Sequence, residues 1–181
     1  MQSLADWTLE AIREEPSDFS WMEERRFAWV GLIEGVLARL IQGETVLVLT
    51  DPRRLWFERY ILNTINDLRR DRPLLPFQSL RGTFSDLQSA DNDLRITLME
   101  DMLDIAYPRG YFLWYIGEGS HPYTKLAYHR ENNFLWLINE EIAGSFLLRE
   151  SDPLMDIKLL QLYRLFDKSI EAALHGRVGL A

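Results

Sequence analysis

Side-chain catalysis needs a nucleophile with a base to activate it, an acid and base in reach of one another, or a bound metal. The sequence offers few candidates for any of these. Cysteine is absent, which removes thiol nucleophiles, thiolate metal sites, iron–sulfur ligation and disulfides together, and suits a reducing compartment. His121, His129 and His175 are the only imidazoles, and none has the i, i+4 partner of a helical metal pair. Serines are plentiful, but no G-x-S-x-G elbow occurs, so no nucleophile comes with an oriented base. Glu23-Glu24 and Glu140-Glu141 are sequence neighbours that point in different directions on a helix, and they read as solvating charges. Asp91-Asn92-Asp93 opens like a calcium loop. Its sixth position is Ile96 where glycine is required and its twelfth is Met102 where a bidentate glutamate is needed, so the triplet reads as the cap of a following helix.

Anion binding is the remaining chemistry, and α/β folds place it in loops that follow strands. Thr50-Asp51-Pro52-Arg53-Arg54 follows an apolar run but has no glycine to let backbone amides wrap a phosphate. Gly117-Glu118-Gly119-Ser120-His121-Pro122 is rich in glycine, yet the third glycine of a dinucleotide loop would fall on Pro122. A phosphosugar-binding enzyme or sensor with Arg53, Arg54, Ser120 and His121 around an anion is the rival reading, and the missing phosphate loop weakens it. No catalytic residue, cofactor or metal ligand is assigned.

The elements that would carry such loops follow from periodicity. Two helices, about 3–15 and 19–42, are separated by the breaker Pro16-Ser17-Asp18. The second is apolar nearly all round from Phe27 to Ala38 and must be covered on two sides. Thr45 to Leu49 is an unbroken β-branched and aliphatic run, the pattern of a central strand buried on both faces. Asp51 and Pro52 then cap and open a helix with Leu55, Trp56, Tyr60, Ile61 and Ile65 at helical spacing. Further strands are expected at Phe77 to Leu80, Tyr111 to Ile116, Phe134 to Ile138 and Ser145 to Leu148. Helices are expected over Asp93 to Ile105, Tyr123 to His129 and Met155 to His175. Alternating short apolar strands and helices predict one α/β domain over 1–181, a three-layer sandwich with a mostly parallel five-stranded, Rossmann-like sheet. The segment Asn139 to Gly144 is too short for a standard crossover helix, so the last two strands are either antiparallel or bridged by a single helical turn.

In the last helix Gln161, Arg164, Lys168, Glu171 and His175 form a polar stripe, and apolar side chains fill the rest. That arc is wider than a core contact needs. With the long second helix it predicts self-association, as a symmetric dimer or a dimer of dimers, through Trp29, Ile33, Leu37, Leu162 and Phe166.

Composition sets the outer limits. The chain has 181 residues, 47% of them hydrophobic and 27% charged, which places it among globular proteins able to bury roughly 70% of the unfolded surface. Its 28 acidic and 20 basic side chains leave a net charge of −8, so the average field repels phosphate backbones and no direct nucleic-acid binding is expected. Met1 to Trp7 shows no basic and then apolar signal, and the longest apolar stretch, Phe27 to Ile41, contains Glu34 and Arg39. Neither a secretory signal nor a membrane span is expected, and the location expected is cytoplasmic.

A set of residues in order from end to end resembles the HobA family of epsilonproteobacterial regulators that bind the replication initiator DnaA. They are Asp6-Trp7, Trp21 with Glu23, Arg54 with Trp56-Phe57, Tyr60-Ile61-Leu62, Arg72-Pro73-Leu74-Leu75, Asn92 with Leu94, and Phe134-Leu135-Trp136-Leu137. The densest stretch is Asp156 with Lys158-Leu159-Leu160-Gln161-Leu162, followed by Leu165-Phe166. The sequence departs from the family in its Asp51-Pro52-Arg53 turn and over Gly117 to Pro122. The resemblance implies a fold related to sugar isomerase domains, a homotetramer without phosphosugar binding, and a role in gathering DnaA through its N-terminal domain to promote initiation of chromosome replication. Exposed aromatic and arginine side chains near strand ends are the natural anchors of such a partner. Arg54, Trp56, Asp91, Asn92 and Leu94 are the residues expected to meet it.

Overall fold

A computed structural model describes residues 2–84, 86, 87 and 92–180. Its contacts group the chain into two units, Met1–Gln42 with Arg149–Ala181, and Gly43–Leu148.

In the first unit, β1 (Gln2–Ser3) pairs in parallel with β7 (Val178–Gly179). Helix α1 (Leu4–Arg13) starts where the Ser3 hydroxyl accepts from the Asp6 amide, with Asp6 in the first turn to complement the helix dipole. Helix α2 (Arg26–Ile41) begins later than its apolar spacing predicted, because a 3-10 turn over Ser20–Met22 comes first. The cause is a set of polar bonds, some local and some from far along the chain. Asp18 Oδ1 accepts from the Ser20 amide and hydroxyl. From α7 (Met155–Leu174), Gln161 donates to Ser17 Oγ and to the Asp18 carbonyl, while its own oxygen accepts from Trp21 Nε1 at 2.9 Å. Those bonds hold the 17–21 segment out of helical register.

Helices α1, α2 and α7 pack on one another. Of the polar stripe of α7, Arg164 and Lys168 both reach the Glu15 carboxylate, at 3.1 and 2.8 Å, whereas Gln161 is buried. The apolar arcs behave differently from expectation. Trp29, Ile33, Leu37, Leu162 and Phe166 are all wholly buried within the chain, so they hold this fold together and offer no surface to a second copy. Helical spacing gives the angular width of an apolar face, whereas the number of neighbours sharing it is a tertiary property.

The second unit is a five-stranded, all-parallel sheet of β2 (Thr45–Thr50), β3 (Phe77–Ser79), β4 (Tyr111–Glu118), β5 (Phe134–Ile138) and β6 (Ser145–Leu148), in the order β3-β2-β4-β5-β6. Counted among these five strands alone, the order is 2-1-3-4-5, a doubly wound sheet. On one face Leu47, Leu49, Leu113, Tyr115, Leu135 and Leu137 form a core with side chains of α4 (Leu80–Thr83), α5 (Asp93–Ala106) and α6 (Thr124–His129). On the other, Trp114 and Trp136 meet edge to face with centroids 4.9 Å apart, and Phe57 of α3 (Leu55–Thr64) lies 6.3 Å from Trp136. Helices therefore cover both faces, which explains why β2, β4 and β5 are apolar at nearly every position.

The connection from β5 to β6 resolves the open alternative in a third way. The two strands are parallel, Leu135 beside Ser145 and Ile138 beside Leu148, and no helix lies between them. Both ends of the six-residue link turn through left-handed backbone, at Asn139 (φ 65) and Gly144 (φ 78), residue types that bear this conformation at low cost.

Candidate functional site

In a doubly wound sheet the ligand crevice opens at the carboxyl ends of the strands where the order reverses, here between β2 and β4. One buried carboxylate, Asp51, occupies that place, and a second, Glu58, lies beside it at the ends of β2 and β3. Asp51, directly after β2, accepts from the Arg54 amide at 3.1 Å and, through its other oxygen, from Arg54 Nη1 at 2.8 Å and the Glu118 amide at 2.9 Å. Both Asp51 and Arg54 are almost completely buried. Gly117 makes the approach possible, since a Cβ there would sit 2.6 Å from the Tyr115 hydroxyl and 2.8 Å from Asp51 Oδ2. Arg53 pairs with Glu118 at 3.0 Å.

The second carboxylate is Glu58 of α3. Its Oε2 accepts from the Thr50 amide at 3.3 Å and the Thr50 hydroxyl at 3.0 Å and lies 3.5 Å from Arg81 Nε, while Oε1 accepts from the Ser79 hydroxyl at 2.5 Å. Arg81 donates further to the Thr50 carbonyl and the Tyr123 hydroxyl, with its guanidinium 5.1 Å from the centre of the Tyr123 ring. His121 stacks edge to face on Tyr123 and accepts from the Tyr123 amide through Nδ1. Burial, aided by the Arg81 charge, pushes its pKa below the ordinary histidine value despite Asp51 and Glu118 nearby, so the ring is neutral at pH 7.

The four residues proposed around an anion are thus not arranged for one. Arg54 and Arg53 are committed to Asp51 and Glu118, Ser120 is exposed, and His121 is neutral. Among the described residues no cluster of three or more histidine, aspartate or glutamate side chains could hold a metal ion. Sequence reasoning gave Glu58, Ser79 and Tyr123 no site role, and it read Arg81 with Arg69, Arg70 and Arg72 as a solvated turn, whereas Arg81 turns to Glu58, Thr50 and Tyr123. One signal was available: Glu58 falls at the i, i+3, i+7 spacing of Ile61 and Ile65, so the apolar stripe of α3 carries an acid that must be buried and satisfied.

The expected partner residues are scattered. Arg54 is 2% exposed and cannot reach a partner; it positions Asp51 instead. Trp56 is 40% exposed on α3. Asp91 lies outside the described residues, while Asn92 caps α5 by accepting from the Arg95 amide. Leu94, 72% exposed, starts a row that continues with Leu98 at 54%, Met102 at 58% and Ile105 at 82%. These share one side of α5, opposite the buried Ile96, Met99 and Leu103. Beside the row lies a groove of about 380 Å³ lined by Phe84, Arg95, Leu98 and Met102 among others. At the back of α5, Glu100 binds His129 and Arg130, and Arg130 also pairs with Asp104. The helix is therefore clamped while its outer row stays open.

A family model described as HobA, a DNA replication regulator, matches residues 1–180. The DNA replication regulator protein HobA of Helicobacter pylori (strain ATCC 700392 / 26695) is 30% identical over 187 residues, covering 99% of this chain and all of that protein. Among solved structures, a Helicobacter pylori HobA crystal structure is similar at TM-score 0.77 and 28% identity over 99% of both chains. HobA in a crystal structure of its complex with DnaA (domain I-II) is similar at TM-score 0.75 and 28% identity, over 99% of this chain and 100% of that one. No helix of the described residues is long and apolar enough to cross a membrane. With end-to-end agreement in sequence and in the path of the chain, this protein belongs to the HobA family of DNA replication regulators.

Proposed function

We propose that this chain is a non-catalytic, cytoplasmic scaffold that binds DnaA through its N-terminal domains I–II and, as a homotetramer, gathers several DnaA molecules to promote replication initiation. The observation that carries the reading is the full-length likeness to a HobA found in complex with DnaA (domain I-II). The closed polar networks at the strand ends support a role that breaks no bond. Joining several weak contacts in one assembly raises effective concentration and tightens binding with no new chemistry.

For the contact itself we favour the face of α5 that begins at Asn92 and Leu94. A row of four exposed apolar side chains on a clamped helix is a costly surface for a solitary protein and a good one for a protein partner. Trp56 is a second, separate candidate.

The test is titration calorimetry of the purified chain with DnaA domain I–II, alongside light scattering of each alone and of the mixture. The chain alone should scatter with four times its 21.3 kDa, and L98E should weaken DnaA binding at least about tenfold while leaving the fold intact. Absence of binding by the wild-type chain at tens of micromolar would refute the proposal.

A further inference from the structure

The donors around Glu58 make a set that proteins commonly use for external oxyanions: one backbone amide (Thr50), two hydroxyls (Thr50 and Ser79) and one guanidinium (Arg81). They converge from the ends of β2 and β3 and from α4, on the carboxyl-end side of the sheet, one strand along from the β2–β4 crevice where a doubly wound sheet receives its ligand. Yet the oxyanion they hold arrives from inside, on a side chain of α3 that is 2% exposed. Asp51 repeats the arrangement one step along, a buried carboxylate held by two amides and a guanidinium.

We infer that the crevice at the ends of β2 and β3 is an oxyanion site permanently occupied by the chain's own Glu58 carboxylate. The external ligand class it would take, were that side chain absent, is a small oxyanion, a carboxylate or inorganic phosphate. The intramolecular ligand has a structural task. Ser79 caps α4 by accepting from the Gly82 amide while donating to Glu58, and Arg81, in the same short helix, reaches Glu58, Thr50 and Tyr123. Four residues of helix cannot hold themselves together. Glu58 therefore fixes α4 without any metabolite.

The experiment is oxyanion rescue of E58A. Thermal unfolding of the full chain is followed in acetate, in inorganic phosphate and in chloride at equal ionic strength. E58A should melt well below wild type in chloride and recover saturably with an oxyanion, by about 3–5 °C at ten times the dissociation constant. Wild type should not respond beyond the chloride control. The acetate and phosphate arms decide whether the cavity takes a planar carboxylate or a tetrahedral anion. The double variant E58A/R81M should lose the rescue, and amide exchange over residues 79–84 should be slow in wild type, fast in E58A and slow again with the rescuing anion. If E58A does not fold in chloride, its refolding yield in acetate or phosphate against chloride reads the same quantity. Equal behaviour of E58A in oxyanion and chloride, or rescue that survives in E58A/R81M, would overturn the inference.

Discussion

Removing one member of a buried ion pair should cost far more than removing both, and the Asp51–Arg54 pair allows this to be measured. The side chains are 2% and 3% exposed and meet at 2.8 Å, so screening by water is small. Arg54→Met keeps most of the apolar stem and deletes the charge. Asp51 retains its bonds from the Arg54 and Glu118 amides, but its negative charge is left buried without a cation. Breaking such a pair costs about 3–5 kcal/mol, which for a domain of this size lowers the melting temperature by roughly 6–20 °C. Asp51→Asn alone also destabilises, since the new amide must face donors where the carboxylate accepted. In D51N/R54M neither charge remains, and the loss should be smaller than the sum of the two singles by at least about 2 kcal/mol. Urea unfolding by fluorescence and circular dichroism measures the four proteins, and coincident transitions check that two-state arithmetic applies. A loss below about 1 kcal/mol in R54M, or strict additivity in the double variant, would show that the pair is not the closed, desolvated unit described.

Glu15 supplies a pH test. Burial alone would raise its carboxyl pKa, but hydrogen bonds and charges from Lys168 and Arg164 outweigh that and hold it below the ordinary value. A depressed folded-state pKa gives stability that is complete above the unfolded value near 4.3 and is lost as pH falls through the folded one. The melting-temperature gap between wild type and E15Q should therefore be widest near pH 6–7 and close below about pH 4; a gap that grows on acidification contradicts the assignment. Gly117→Ala places a methyl group against the buried Tyr115 hydroxyl and Asp51, and should cost about 1–3 kcal/mol in the same urea assay. A neutral G117A would mean that β4 and the Asp51 loop can separate freely.

How far the sequence foretold this depends on the kind of signal. Unbroken apolar runs such as Thr45 to Leu49 and Phe134 to Ile138 exist only because both sheet faces are covered, so the strands and their parallel arrangement were readable. Asp51 and Asn92 were readable as caps because a cap is local chemistry. The late start of α2 was hidden, since it depends on Gln161 reaching the 17–21 segment from far along the chain. The parallel β5–β6 link was hidden because periodicity says nothing about how an irregular segment can double back. Arg54 was mistaken for an exposed anchor because only the tertiary fold shows its aspartate, and Trp29 and Phe166 for interface residues because only the fold shows what shares their faces. Exposure on a helix is the least legible property: an exposed Leu98 and a buried Leu103 look alike until the helix is placed.

Charge ties the two surfaces together. At the strand ends Asp51, Glu58 and Glu118 are matched by Arg53, Arg54 and Arg81, so the crevice is close to neutral and contributes nothing to the net charge of −8. The excess of acid therefore lies elsewhere in the chain, where a phosphate backbone meets repulsion that salt screens. The open row on α5 carries no charge in its four apolar side chains, so contacts made there draw their strength from desolvation, which salt leaves intact. Affinity for a protein partner at that row should change little between low and moderate ionic strength, whereas any nucleic-acid contact would depend on salt steeply. That difference separates recognition of a protein partner from recognition of nucleic acid.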